Sequence, residues 1–348
     1  MKINLYNLIK VYVKIGLFFT HKQIKVYGKE NIPKNGPILF IGNHRNALID
    51  AILIPTTTNR NIHFLTRASA FKNKTIESFL RALNMIPVYR LRDGRETIKK
   101  NNEVFEQCFE ILKNEKAIEI FAEGEHHQLR KVIPLKKGFA RIILGTLQKH
   151  PNLNIQIVPV GINYDAHLKF PSSTSIYYGN PIIANHFFDI KNPDFKFKSI
   201  LNEVHKALIQ LTVHIEDPTN YTQLVSKLDA AKVDYLNPMK VNELLKNIDN
   251  LPKSEKKIKI NWLSPIHFIA KINSFFPLLI WKFLKSKIKD PIFTNTYRFA
   301  LILTVFPLFY LIQASVIFYF SNFKYALIYL ISCILLGIIS TKTMSVTQ

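Results

Sequence analysis

Cysteine is almost absent from this chain, with Cys108 and Cys333 the two examples in 348 residues, which excludes a disulfide framework and favours a reducing compartment. Glycine is sparse too, at 11 residues, and no glycine-rich phosphate loop of the nucleotide-binding kinds occurs. No internal repeat and no zinc-type spacing of cysteine or histidine is present, so a repeat scaffold and a structural metal site are not expected. Negative charge is also scarce: 24 acidic residues stand against 47 lysines and arginines, a formal charge of +23. That imbalance points to polyanionic partners, whether nucleic acid, anionic lipid or phosphorylated substrates. The 48% hydrophobic content excludes a disordered tail.

What the chain has instead is long apolar runs near its C-terminus. FALILTVFPLFYLIQASVIFYF, residues 299–320, is 22 residues without a charge, against the roughly 20 needed to cross a bilayer. After SNFK comes YALIYLISCILLGIIS, extendable by Thr341 and a snorkelling Lys324. The pair reads as a transmembrane hairpin. Lysines 282, 285, 287 and 289 and Arg298 precede it and only Lys324 marks its tip, so the positive-inside rule puts the main body on the cytoplasmic side. At the other end, MKINLYNLIKVYVKIGLFFT has lysines within its apolar pattern and no small-residue cleavage site after it, so it reads as retained. Its spacing suits an amphipathic helix at the membrane interface or docked on the domain, as does that of residues 264–290.

Between residues 24 and 220, short β-branched runs alternate with helical patterns. IKVYG, PILFIG, NIHFLT, MIPVYR, AIEIFAEG, IQIVPVGI and TSIYYG read as strands, while ETIKKNNEVFEQCFEILKNE and GFARIILGTLQK read as helices. The fold class expected is α/β, a central sheet flanked by helices. The organisation expected is an interfacial helix over 1–22, an α/β domain over 23–225, a basic linker with interfacial helices over 226–296, and the hairpin over 297–341.

Within FIGNHRNALIDAIL, His44 and Asp50 interrupt an apolar stretch where a strand gives way to a helix. In a regular helix the two side chains would stand roughly 120° apart and about 9 Å along the axis, so they meet only if the turn is irregular. A carboxylate bonded to one imidazole nitrogen would make the other a general base for a hydroxyl. Taken alone, the pair fits better with a capping histidine beside an unrelated aspartate.

Further along lie FLTRASAFKN with Arg67, MIPVYR with Arg90, FAEGEHHQLRKVIPLKKGFARI with Glu123 and Gly124, and IVPVGI. The succession NHRNALID, MIPVYR, FAEGEHH and IVPVGI resembles the four ordered blocks of the glycerolipid acyltransferases that make phosphatidic acid, over residues 24–165. Five residues separate His44 from Asp50, where the family's commonest pattern has four. The longer spacing is similar to a branch of glycerol-3-phosphate and dihydroxyacetone-phosphate acyltransferases. Glu125 and His126 stand where a Thr and an Arg usually follow the Glu-Gly pair, which leaves Arg130, Lys131, Lys136 and Lys137 as candidates for the phosphate.

The resemblance implies a glycerol-3-phosphate acyltransferase-like fold and His44 as the catalytic base, oriented by Asp50. It further implies that Arg67, Arg90, Glu123, Gly124 and Lys137 bind substrate. No metal or bound cofactor is expected. The co-substrate would be an acyl-CoA or acyl carrier protein thioester. The acceptor would be 1-acylglycerol 3-phosphate or, alternatively, glycerol 3-phosphate or dihydroxyacetone phosphate. The partners expected are membrane lipid and these substrates, with no nucleic acid. A basic membrane-tethered binding protein would share the charge and the anchor, but it gives no reason for the ordered blocks.

Overall fold

A computed structural model of the chain describes residues 5–89, 99–187, 193–248 and 262–345. After helix α1 (Leu5–Thr20) come β1 (His21–Tyr27), β2 (Ile38–Gly42), α2 (Ala47–Thr57), β3 (Ile62–Arg67), α3 (Lys74–Ala82) and β4 (Met85–Val88). The chain continues with α4 (Asn101–Lys113), β5 (Ala117–Ile120), α5 (Gly138–Lys149), β6 (Gln156–Tyr164), β7 (Ser172–Tyr178) and a two-residue β8 (Ile182–Ile183). Eight helices follow: α6 (Pro193–Leu211), α7 (Tyr221–Ala230), α8 (Pro238–Lys246), α9 (Ser264–Asn273), α10 (Phe275–Lys287), α11 (Thr294–Leu303), α12 (Val305–Phe320) and α13 (Phe323–Thr343). The seven strands expected from the sequence form. The eighth is too short to leave a pattern.

The strands make one mixed sheet in the order β1-β7-β6-β2-β5-β3-β4, with β8 on β6. β2 lies at its centre, parallel to both β5 and β6, and all five of its residues are buried. That burial explains why ILFIG reads as a continuous apolar run rather than an alternating one. Ile38 and Phe40 join the apolar cluster on one face, with Ile49, Leu53 and Ile54 of α2, Leu17 of α1 and Phe299 of α11. Leu39 and Ile41 point to the opposite cluster, with Cys108 and Leu112 of α4, Phe139 and Ile143 of α5, and Val204 and Leu208 of α6. Helices therefore cover both faces.

The helices beyond residue 262 are of another kind. The stretch Pro291–Phe320 and the helix Phe323–Thr343 have mean hydropathies of 2.2 and 2.0 in their most apolar parts, yet only 11% of each of those parts is buried. Core helices are mostly buried; these two have the length and composition to cross a membrane. The apolar run is not one straight helix. Pro307 has no N–H to give the carbonyl of Leu303, and the backbone breaks at Thr304 (φ −121°, ψ −66°) between α11 and α12. The Tyr12 hydroxyl of α1 donates to that Leu303 carbonyl instead. The Tyr329 hydroxyl lies 2.7 Å from Gln313 Oε1 and 3.0 Å from Asn273 Oδ1, tying α13 to α12 and α9.

Candidate active site

β2, β3, β5 and β6 run parallel, so their carboxyl ends open on one edge of the sheet. The chain leaves β2 toward β3 on one side and β5 toward β6 on the other. Such a reversal leaves a crevice outside the strand ends where ligands bind in open α/β sheets. His44 follows β2, Arg67 ends β3, Glu123 follows β5 and Tyr164 ends β6.

His44 stays in the loop while Asp50 lies in the first turn of α2. Between them Ala47 takes φ +28°, a conformation that L-residues avoid, and this tight turn folds the six-residue separation back on itself. His44 Nδ1 and Asp50 Oδ2 are 3.0 Å apart, with the Asp50 side chain fully buried and that of His44 15% exposed. The same Oδ2 accepts the backbone N–H groups of Arg45 (2.7 Å) and Asn46 (2.6 Å). The other oxygen, Oδ1, accepts the Tyr164 hydroxyl at 2.5 Å. Burial and the Asp50 charge push the Tyr164 phenol well above its usual range, so it remains a donor. The imidazole lies flat on Phe121, with centroids 4.1 Å apart and planes inclined by 13°. With Nδ1 engaged, Nε2 is the nitrogen left for a ligand.

Glu123 is fully buried and reaches back to the same loop. Its Oε2 accepts the backbone N–H of His44 (3.2 Å) and lies 3.1 Å from His127 Nε2, while the His127 N–H donates to the His44 carbonyl at 3.2 Å. Its Oε1 is buried without a partner among the described residues. Gly124 has φ +74°, which calls for glycine at the turn out of β5, and a Cβ there would stand 3.0 Å from Lys136 Cγ.

The sequence candidates do not all converge. Arg67 is exposed, its guanidinium carbon 5.8 Å from the centre of the Phe293 ring. Lys137, also exposed, precedes α5 with Nζ 5.9 Å from the Phe197 ring centre. Arg90 falls outside the described residues. Arg130 is buried, donating to the carbonyls of Tyr164 and Asp165, both at 2.9 Å, and stacked 3.4 Å over Tyr235. Its fork braces the loop after β6 rather than facing the crevice.

Sequence reasoning missed Tyr164, His167 and the buried Arg45. Arg45 donates to the Gln128 carbonyl (2.7 Å) and lies 3.3 Å from His167 Nδ1, and His167 is pushed down to about 2 by burial and by Arg45, which keeps it neutral. Only their positions at strand ends distinguish these residues in the sequence.

The chain is similar to known proteins over this part of its length. Residues 23–163 match the family model described as Acyltransferase. Over 120 residues the chain is 36% identical to "Glycerol-3-phosphate O-acyltransferase 1" of Saccharomyces cerevisiae, covering 33% of this chain and 16% of that protein. It is 29% identical over 120 residues to the "1-acyl-sn-glycerol-3-phosphate acyltransferase" of Bacillus subtilis, covering 34% and 55% respectively. The chain thus spans about a sixth of the yeast relative and about half of the bacterial one. Among solved structures, the 1-acyl-sn-glycerophosphate (LPA) acyltransferase PlsC of Thermotoga maritima aligns with a TM-score of 0.44 and 22% identity, over 58% of this chain and 77% of that one. The parallel strands whose ends bring His44, Asp50 and Glu123 together lie within the stretch that matches the Acyltransferase family model.

Proposed function

We propose that the chain transfers a fatty acyl group from a thioester, acyl-CoA or acyl carrier protein, to a hydroxyl of 1-acylglycerol 3-phosphate. The observation that carries this reading is the 3.0 Å contact between His44 Nδ1 and the fully buried Asp50 in an acyltransferase-family domain. His44 Nε2 takes the acceptor hydroxyl's proton as that oxygen attacks the thioester carbonyl. The carbon–sulfur bond then breaks, and the imidazolium returns the proton to the departing thiolate. Asp50 keeps the imidazole in one tautomer and stabilises its charged form, and no acyl-enzyme is needed. Glu123 and Gly124 shape the acceptor side, Glu123 by holding the backbone N–H of His44. Arg67 and Lys137, with Arg90, are the cations offered to the phosphate.

The second reading takes glycerol 3-phosphate as acceptor. The five-residue spacing between His44 and Asp50 and the 36% identity to the yeast relative favour it. For either acceptor the apolar helices hold the site against a leaflet, on the cytoplasmic side by the lysine distribution before α11. Product and acyl chains then need not cross water. The test is thioester consumption by the detergent-solubilised chain, with palmitoyl-CoA or palmitoyl carrier protein offered with each acceptor. Transfer to one acceptor that His44→Ala abolishes and Asp50→Asn cripples is expected. Undiminished transfer by His44→Ala removes the proposed base.

A further inference from the structure

The strand-end groups described so far lie within residues 44–167. A segment more than a hundred residues further along completes the same edge. Residues 290–295 run from the connection after α10 into the first turn of α11, the first of the apolar helices. The segment is anchored: Asp290 Oδ1 accepts the Ile292 N–H at 3.1 Å, and Ile292 and Thr294 are buried. Asn295 Nδ2 donates to the His167 carbonyl. Asp290 Oδ2 lies 3.6 Å from His126 Nε2. Between them the Phe293 ring meets the His126 ring edge to face, with centroids 5.3 Å apart, and also packs against the Arg67 guanidinium. His126 in turn meets His44 edge-on, with centroids 5.7 Å apart. One aromatic ring thus joins the cation ending β3 to the histidines beside the His44–Asp50 pair.

We propose that Phe293 is a positioning residue for the acceptor phosphate, fixing Arg67 and His126 as two sides of a phosphate corner next to His44. The inference rests on the acyl-transfer reading above. An exposed arginine samples many rotamers, and an aromatic face restrains the guanidinium while leaving its N–H fork free. Arg67 has no hydrogen-bonded or ion-paired partner among the described residues, so that fork is available to a phosphate. Where the third block lacks the arginine usual in the family, a corner built from the end of β3 and the segment leading into the membrane helices supplies a cation from another direction. The corner then forms only when that segment is seated on the sheet edge.

The test measures initial rates of the full chain in detergent, varying lysophosphatidic acid and glycerol 3-phosphate separately at saturating palmitoyl thioester, then varying the thioester. Phe293→Leu keeps apolar bulk and loses the ring. It should raise the acceptor KM about fivefold, with kcat and the donor KM within about twofold, and Phe293→Tyr should stay near the parent. Arg67→Ala should raise the same KM, and adding Phe293→Leu to it should raise it by clearly less than the product of the two single effects, since the Arg67 share of the Phe293 effect is already lost. An unchanged acceptor KM in Phe293→Leu, equal losses for donor and acceptor, or full additivity with Arg67→Ala overturns the inference alone. No transfer by the parent chain, or undiminished transfer by His44→Ala, overturns the acyl-transfer reading and this inference with it.

Discussion

Replacing Tyr164 by phenylalanine tests whether the third partner of the Asp50 carboxylate matters to the chemistry. The ring is fully buried, so the substitution removes one oxygen and leaves the packing intact. That oxygen makes the 2.5 Å bond to Asp50 Oδ1, while the three other polar contacts of the carboxylate all fall on Oδ2. A hydrogen bond to a charged group is worth roughly 1.5–3 kcal/mol, and a buried carboxylate oxygen left bare forfeits that stabilisation. If the carboxylate turns to recover a partner, the His44 imidazole loses its fixed tautomer and orientation. About 2 kcal/mol expressed in the transition state is a loss of about thirtyfold in kcat. Tyr164 contacts Asp50 and sits behind the histidine, so KM for either substrate should stay within about twofold. Steady-state kinetics on the detergent-solubilised protein, with a thermal unfolding scan beside them, separates the outcomes. A Tyr164→Phe protein with the parent's kcat would refute the claim that Tyr164 orients the pair, whatever its melting temperature. Equal losses in kcat and both KM values would assign the residue to general packing.

Two further predictions concern stability. Glu119 is buried on β5 with both carboxyl oxygens unpartnered among the described residues, and burial first, then the Asp50 charge, raises its pKa well above the usual carboxylate range. Its folded pKa exceeds its unfolded one, so its contribution is fully present below the unfolded value, near about 4.3, and is lost as pH rises toward the folded value. Glu119→Gln should therefore gain melting temperature over the parent increasingly from pH 5 to pH 9, and parallel curves for the two proteins would sink the argument. Tyr12→Phe strips the Leu303 carbonyl of its substitute donor and should cost about 1–2 kcal/mol of stability. Adding Pro307→Ala, which restores a helical N–H for that carbonyl, should recover much of the loss, and a cycle with no coupling would show that the carbonyl is satisfied elsewhere.

The sheet was largely legible because its strands are β-branched runs bounded by turn residues, and β2 is apolar throughout because helices cover both of its sides. The spacing of His44 and Asp50 was visible, but not their meeting. That depends on Ala47 at φ +28° and on Asp50 drawing in the N–H groups of Arg45 and Asn46, which no side-chain pattern announces. Tyr164 follows the alternation of β6 and reads as one more core aromatic, since only tertiary placement puts its hydroxyl on a carboxylate. Phe293 and Asp290 were illegible for a different reason. They belong to a connection between helices, far along the chain from the blocks they touch.

The N-terminal helix shows where periodicity stops being informative. α1 is apolar on two sides. Tyr6 and Leu17 are buried, whereas Leu8, Val11, Ile15 and Phe18 are exposed, and spacing alone cannot say which side packs on the protein. The burial pattern resolves this, since Leu17 shares one cluster with Ile38 and Phe40 of β2 and Phe299 of α11. At the end of α1, Lys342 of α13 donates to the carbonyls of Phe18 (2.8 Å) and His21 (2.7 Å), and Thr341 donates to that of Phe19 (2.9 Å). A cation and a hydroxyl on carbonyls at a helix C-terminus meet both its unpaired acceptors and its dipole. The first and last helices are therefore locked to each other and to the sheet face behind the His44–Asp50 pair. Phe299 of α11 enters the same apolar cluster as Leu53 and Ile54 of α2, so a force that shifts the apolar helices bears on the packed face that positions α2 and Asp50.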